Sequence, residues 1–249
     1  MKKLYDKSQI GFALLWIGIY VACGMFVYPL SDLIGVEQSA NAIANVAIAV
    51  ILLVFIFRWG LAKKYGLCKA NAPAKAFLWF IPLALLATAN IWFGAVMNLH
   101  GADLICYLIS MCAVGIVEEL LFRGLLFRAM EKDSLKAAII VSSVTFGLGH
   151  VMNLLNGSGQ DIFTTLLQMV TAVALGFLLV VIVWRGGTIL PCIIAHSVID
   201  MLSAFANMDA ITPTVHLAMD GVEIVIILAY VAFLWKKLPA PEDSTEDAE

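Results

Sequence analysis

Charge is what this sequence has least of: Asp, Glu, Lys and Arg supply 13% of its 249 residues, against about 25% in a soluble domain. Apolar residues supply 62%, so a water-soluble fold could not cover its surface with polar groups. Lipid must solvate much of the chain, and in lipid the backbone has to pair its own N–H and C=O groups. The five cysteines (Cys23, Cys68, Cys106, Cys112 and Cys192) show neither a C-x-x-C pair nor metal-ligand spacing. Four of them lie in apolar stretches and read as small hydrophobes. Phosphate-binding loops, dinucleotide fingerprints, internal repeats and low-complexity tracts are missing too, and no nucleic-acid partner is expected. The first apolar run, Ile10 to Leu30, is about 21 residues long, against roughly 7–15 for a signal-peptide core, and no A-x-A site follows it. It reads as a retained anchor.

What is present is a series of long apolar runs. They lie near 10–30, 42–59, 77–97, 103–127, 137–155, 162–184, 188–206 and 222–235. Since about 20 apolar residues cross a bilayer, they predict an all-α, polytopic membrane bundle of about eight transmembrane helices. One transmembrane domain over 1–241 is expected, with a motif-bearing core at about 103–206 and a disordered acidic tail at 242–249. Pro191 suits the first turn of the seventh helix. The charges give an independent check. Lys2, Lys3, Lys7, Arg58, Lys63, Lys64, Lys69, Lys75, Arg128, Lys132, Lys136, Arg185, Lys236 and Lys237 all fall in segments on one side of this topology. Of the 15 basic residues only Arg123 remains, inside a helix. The opposite loops, 31–41, 98–102, 156–161 and 207–221, hold no Lys or Arg but carry Asp32, Glu37, Asp161, Asp209, Asp220, His100 and His216. The positive-inside rule then predicts a multi-pass protein of the cell membrane with both termini in the cytoplasm.

Few ionisable groups remain at depth, where each costs at least roughly 2.5–3.5 kcal/mol and is a functional candidate. They are Glu118, Glu119 and Arg123 on the fourth helix, His150 on the fifth, and His196 and Asp200 on the seventh; Asn153 is a lesser candidate. Asn90 on the third helix reads as an interhelical hydrogen-bonding residue. From helix rise, Glu118 lies about 14 Å from the inner end, His150 roughly 20 Å, His196 roughly 12 Å and Asp200 roughly 18 Å. Three helices thus bring titratable groups to a similar level. Glu119 and Arg123 are spaced i, i+4 with the acid first, which favours an ion pair on one face. Glu118 is rotated away and has no obvious cation, so it suits a base that accepts a proton from water. His196 with Asp200, and Phe146 with His150, also share faces at i, i+4, and Gly147 and Gly149 leave room for a close helix neighbour.

These residues carry a recognisable pattern. Glu118-Glu119-Leu120-Leu121-Phe122-Arg123 resembles the E-E-x-x-x-R motif of the CPBP family, the CAAX-protease and bacteriocin-processing group of membrane proteins. Phe146-Gly147-Leu148-Gly149-His150 resembles its F-x-x-x-H motif, and His196-Ser197-Val198-Ile199-Asp200 its H-x-x-x-N motif. The resemblance implies a bundle around a water-accessible cavity and hydrolysis of a peptide bond in a peptide or protein substrate in or at the membrane. Glu118 and His150 would polarise the water, His196 and residue 200 would stabilise the oxyanion, and Glu119, Arg123 and Phe146 would support them. The family usually has Asn where this chain has Asp200. An ionised carboxylate cannot donate to an oxyanion, so Asp200 is either held neutral or orients His196.

Other readings stay open. No cofactor is expected, but zinc held by Glu118, His150 and His196, with Asp200 as a further ligand by type, would give a metallo-protease on the same residues. A non-catalytic scaffold or bacteriocin-immunity protein would use the polar cluster only to join helices. A proton-coupled transporter would also bury Glu and His, but its inverted repeats and interrupted helices are not seen. The short chain reads as a bacterial member of the family.

Overall fold

A backbone that must pair its polar groups without water folds into helices, and the computed structural model is all-helical over the residues it describes: 1–27, 29–69, 78–155 and 159–238. In chain order the helices are α1 (Lys2–Lys7), α2 (Gln9–Val27), α3 (Leu30–Ile34), α4 (Ser39–Arg58), α5 (Ile81–Leu86), α6 (Gly101–Glu118), α7 (Phe127–Met130), α8 (Leu135–Gly149), α9 (Ile162–Gly186), α10 (Leu190–Leu202) and α11 (Pro213–Lys237). A π-helical segment, Glu119–Leu126, joins α6 to α7, so one rod runs from Gly101 to Met130. Turns of 3-10 helix extend α8 through His150–Leu154 and α10 through Ser203–Phe205. Among the described residues, 6 rods are long and apolar enough to cross a membrane: α2, α4, α6 through α7, α8 with its extension, α9 and α11.

Two of the expected spans take another form. The stretch 77–97, whose first residue lies outside those described, is not one helix. After α5 the Thr88 hydroxyl turns back to Leu85 O at 2.7 Å, a 3-10 turn follows at Ala89–Ile91, and Gly94 adopts φ 99°. That φ keeps the helix from resuming, since it is a conformation that L side chains rarely adopt. Beyond it Ala95 pairs with Ala206 in an isolated antiparallel bridge. The stretch 188–206 forms the 13-residue α10, with Pro191 in its first turn as the sequence suggests. At the far end, α11 begins at Pro213 rather than near 222, because Thr212 caps it by accepting from the Val215 N–H at 3.3 Å. His216 and Asp220, read as loop residues, are therefore helical, with His216 Nε2 3.7 Å from Asp220 Oδ2. The loop assigned to 31–41 holds part of α3 and the start of α4. The acidic tail at 242–249 and Lys75 lie outside the described residues.

The connections gather in two sets. Lys64 Nζ donates to Tyr5 Oη and Gln9 Oε1, both at 2.8 Å. The Ile189 N–H and the Thr188 hydroxyl donate to Gly66 O at 2.9 and 3.1 Å, and Arg185 Nη1 donates to Leu238 O at 3.3 Å. Elsewhere the Glu37 N–H donates to Asp103 Oδ1 at 2.8 Å and the Val96 N–H to Phe205 O at 3.0 Å. Two hydrogen bonds from Thr164, one from its hydroxyl and one from its N–H, cap α9 and hold the Asp161 carboxyl below the usual carboxylate range.

Lipid tails are as apolar as leucine, so helices in a bilayer associate through close packing over small residues. Here α8 packs on α9 and α6 on α10 in that way. A Cβ on Gly115 of α6 would stand 2.7 Å from Ser197 N of α10. One on Gly147 of α8 would stand 2.3 Å from Val173 Cγ2 and 2.8 Å from Met169 O, and one on Gly176 of α9 would stand 2.9 Å from Ser143 Cα. Gly147 therefore makes the close approach read from the sequence, whereas Gly149 faces open space and does not. Gly115 lies a turn before Glu118 and Gly147 a turn before His150, so these contacts place the candidate site. Overpacking such a contact costs about 1–3 kcal/mol, and about 2–4 °C per kcal/mol applies at this size. Gly147→Val should lower the thermal midpoint of the detergent-solubilised protein by roughly 2–12 °C, while Gly149→Ala leaves it unchanged.

Candidate active site

A charge inside a bundle must be paired or stacked, and the π-helical segment does both. Glu119 and Arg123 are fully buried at 0% exposure, and Arg123 Nη1 donates to Glu119 Oε1 at 2.9 Å. This is the i, i+4 pair that the spacing predicts. The Arg123 guanidinium also lies 3.9 Å from the centre of the Phe146 ring, whose negative face receives it. The Phe127 N–H closes the π turn on Phe122 O, and the Ser142 hydroxyl of α8 donates to the same carbonyl at 2.9 Å. Such π segments concentrate at functional sites.

His196 of α10 is buried, and its Nδ1 lies 2.9 Å from the same Glu119 Oε1. A carboxylate oxygen that already accepts from arginine suits a donor at Nδ1, which turns Nε2 the other way. Nε2 faces two acids: Asp200 Oδ2 at 3.4 Å, one turn along α10, and Glu118 Oε2 at 3.8 Å. The other Glu118 oxygen, Oε1, accepts from the Tyr20 hydroxyl of α2 at 2.7 Å. The Glu118 and Asp200 side chains keep 15% and 23% exposure, against 4% for His196. The two acids thus face accessible space, and the imidazole with its Glu119 partner lies behind them.

His150 sits where α8 passes into its 3-10 extension. It joins the group through Phe146, whose ring centre is 5.8 Å from that of His150 and 5.4 Å from that of His196, edge-on to both. One phenylalanine therefore packs against both imidazoles and covers the guanidinium. Asn153 Nδ2 donates to Gln168 Oε1 at 3.0 Å, which ties it to α9. Asn90 Nδ2 donates to Ile199 O at 2.7 Å, the interhelical role expected of it, beside Asp200. Tyr107 Oη and Ser203 Oγ lie 2.7 Å apart, and Ser203 Oγ donates to Asp200 O at 2.5 Å. Tyr20, Tyr107 and Ser203 are missed by the sequence reading. A tyrosine in an apolar helix carries no local signal of its partner; only the depth of Tyr20 along the first span could have hinted at it.

A zinc reading would need Glu118, His150 and His196 to converge. Among the described residues no three His, Cys, Asp or Glu side chains are grouped to hold a metal ion. His196 Nδ1 and Glu118 Oε1 are already bonded to Glu119 and Tyr20.

Removing one member of a buried ion pair leaves the other uncompensated, at about 3–5 kcal/mol. Arg123→Met should therefore destabilise the protein by about that amount, read by chemical unfolding in mixed micelles. Adding Glu119→Gln should recover part of the loss.

Residues 100–202 match the family described as Type II CAAX prenyl endopeptidase Rce1-like. The match takes in α6 through α10 and all three motifs, and leaves Tyr20 and Asn90 outside. No curated protein and no solved structure matches the chain. The region of this membrane protein that carries the Glu118, His150 and His196 motifs is thus similar to the Rce1-like family of type II CAAX prenyl endopeptidases.

Proposed function

We propose that the chain is an intramembrane endopeptidase that hydrolyses a peptide bond of a membrane-associated peptide or protein with water activated by Glu118 and His150. The observation that carries this reading is the gathering of acids around one imidazole. His196 bonds the buried Glu119 through Nδ1 and turns Nε2 towards Glu118 and Asp200.

The chemistry runs in balanced steps. Glu118 Oε2 takes a proton from water, the water oxygen adds to the scissile carbonyl carbon, and the carbonyl oxygen becomes an oxyanion. His196 Nε2, carrying a proton, donates to that oxyanion; a fixed donor of this kind is worth about 10²–10³ in rate. The distance of 3.8 Å from Nε2 to Glu118 Oε2 exceeds a hydrogen bond, which leaves the two groups free to act on different atoms of the substrate. When the C–N bond breaks, the proton on Glu118 passes to the departing amine. His150 contacts the water from the Phe146 side, and Glu119 with Arg123 holds the His196 ring. The 3.4 Å contact to Nε2 favours Asp200 as the group that orients His196 and supports its positive charge, a role the usual Asn could fill only by accepting.

Eight crossings with both termini in the cytoplasm belong to the same proposal, with α10 and the interrupted segment around α5 as two short crossings. Two observations support it: the one-sided distribution of Lys and Arg, and the contacts among the Tyr5, Gly66, Thr188 and Leu238 regions, all assigned to the inner side. A reporter enzyme active only outside the cytoplasm should be active when inserted at 98–100 and inactive when fused after residue 249.

Glu118→Ala should lower cleavage by about 10²–10⁴-fold. The measurement compares the membrane proteome and released peptides of cells expressing the wild type and the variant. A strong chelator should leave the reconstituted wild type active; inhibition reversed by zinc would move the chemistry to a metal.

A further inference from the structure

Glu118 has two chemically equivalent oxygens, and a general base uses one of them. Their surroundings here are not equivalent. Oε1 accepts from the Tyr20 hydroxyl at 2.7 Å, and Oε2 is the oxygen nearer His196 Nε2, at 3.8 Å. Tyr20 comes from α2, outside the residues that match the family. Its position on that helix is built rather than incidental. Phe12, Trp16 and Tyr20 recur at i, i+4 and i+8, which places them on one face. Phe12 is fully buried and stacks on Phe55 of α4 at 4.8 Å, Trp16 is buried a turn later, and the face ends at the hydroxyl aimed at Glu118. The helix packs along the π-helical segment that begins beside Glu118.

We propose that Tyr20 is a positioning residue that assigns the two Glu118 oxygens different duties: Oε1 is held by the tyrosine hydroxyl, and Oε2 is kept for the water. The inference rests on the hydrolytic reading of the site. Its chemical content is the place of one proton. With Oε1 already receiving the Tyr20 O–H, the proton taken from water resides on Oε2, on the side of His196 and the scissile bond, where the departing amine needs it. Without the hydroxyl the carboxyl group can rotate, and the proton can be carried on the oxygen turned away from the substrate. The substrate contacts themselves are untouched, so the loss should fall on turnover and not on binding.

Tyr20→Phe removes the hydroxyl and keeps the ring. The full-length variant is reconstituted in liposomes and assayed on a synthetic peptide spanning a bond that the wild type cleaves in cells and Glu118→Ala does not. The expected result is a kcat lower by about tenfold or more with KM within about twofold and an unchanged thermal midpoint. A wild-type kcat, or a loss that lies in KM or in the thermal midpoint, overturns the proposal. A second readout needs no turnover. The infrared difference between wild type and Tyr20→Phe should contain a carboxyl band that disappears when the same pair is compared in a Glu118→Gln background; its absence overturns the proposal as well. The two levels of inference fail differently. If Glu118→Ala cleaves like the wild type, the hydrolytic reading falls and this one with it. If Glu118→Ala is inactive while Tyr20→Phe turns over normally, the role of Tyr20 alone falls.

Discussion

One carboxylate oxygen, Glu119 Oε1, receives Arg123 Nη1 and His196 Nδ1, each at 2.9 Å, and most of the candidate site follows from that shared acceptor. The arginine pairs with Glu119 where both side chains are fully buried. The contact of Glu119 with His196 Nδ1 turns Nε2 towards Glu118 and Asp200. The arrangement is costly. Glu119 Oε2 and Arg123 Nε and Nη2 are buried without a hydrogen-bond partner among the described residues, and the face of Phe146 takes the guanidinium in place of a further acceptor. Buried ion pairs are often no more stabilising than apolar replacements, so what this one contributes is the orientation of a ring.

The membrane imposes the second constraint. Helices gain nothing by hiding apolar surface from lipid, so registry has to come from close packing and from a few polar bonds. Gly115 against Ser197 and Gly147 against Val173 supply the first kind, each a turn from a candidate catalytic side chain. Ser142 on Phe122 O, Asn90 on Ile199 O and Tyr20 on Glu118 supply the second. All three bonds end on the π-helical segment, on its first flanking residue or beside Asp200. These three interhelical bonds thus lie where geometry matters to the chemistry.

Much of this was legible in the linear chain. Polar residues in apolar runs are few, so Glu118, Glu119, Arg123, His150, His196 and Asp200 stand out without any structure. The Glu119–Arg123 pair followed from spacing, because i and i+4 lie on one face of any helix. Other features were not legible for identifiable reasons. A hydroxyl from α8 reaches Phe122 O in the π-helical turn, a contact that no local pattern encodes. The break in the stretch 77–97 turns on Thr88 and on Gly94 at φ 99°, and a hydropathy window averages over both. The start of α11 was readable in principle, since Thr212-Pro213 is a cap followed by a first-turn proline, but low hydropathy around Asp220 hid it.

What the sequence by itself determined is the class of molecule, the clustering of its basic residues between apolar runs and the identity of the candidate residues. All of these are properties of composition and of spacing within single helices. What only the tertiary structure decided is who faces whom: His196 on Glu119 rather than on Asp200 alone, His150 held through the ring of Phe146, and Tyr20 on Glu118 from a helix that carries no motif. Contacts within a helix are written in the i, i+4 spacing of the chain. Contacts between helices depend on where glycines let backbones approach and on how far a helix such as α6 is wound before the next residue turns inward.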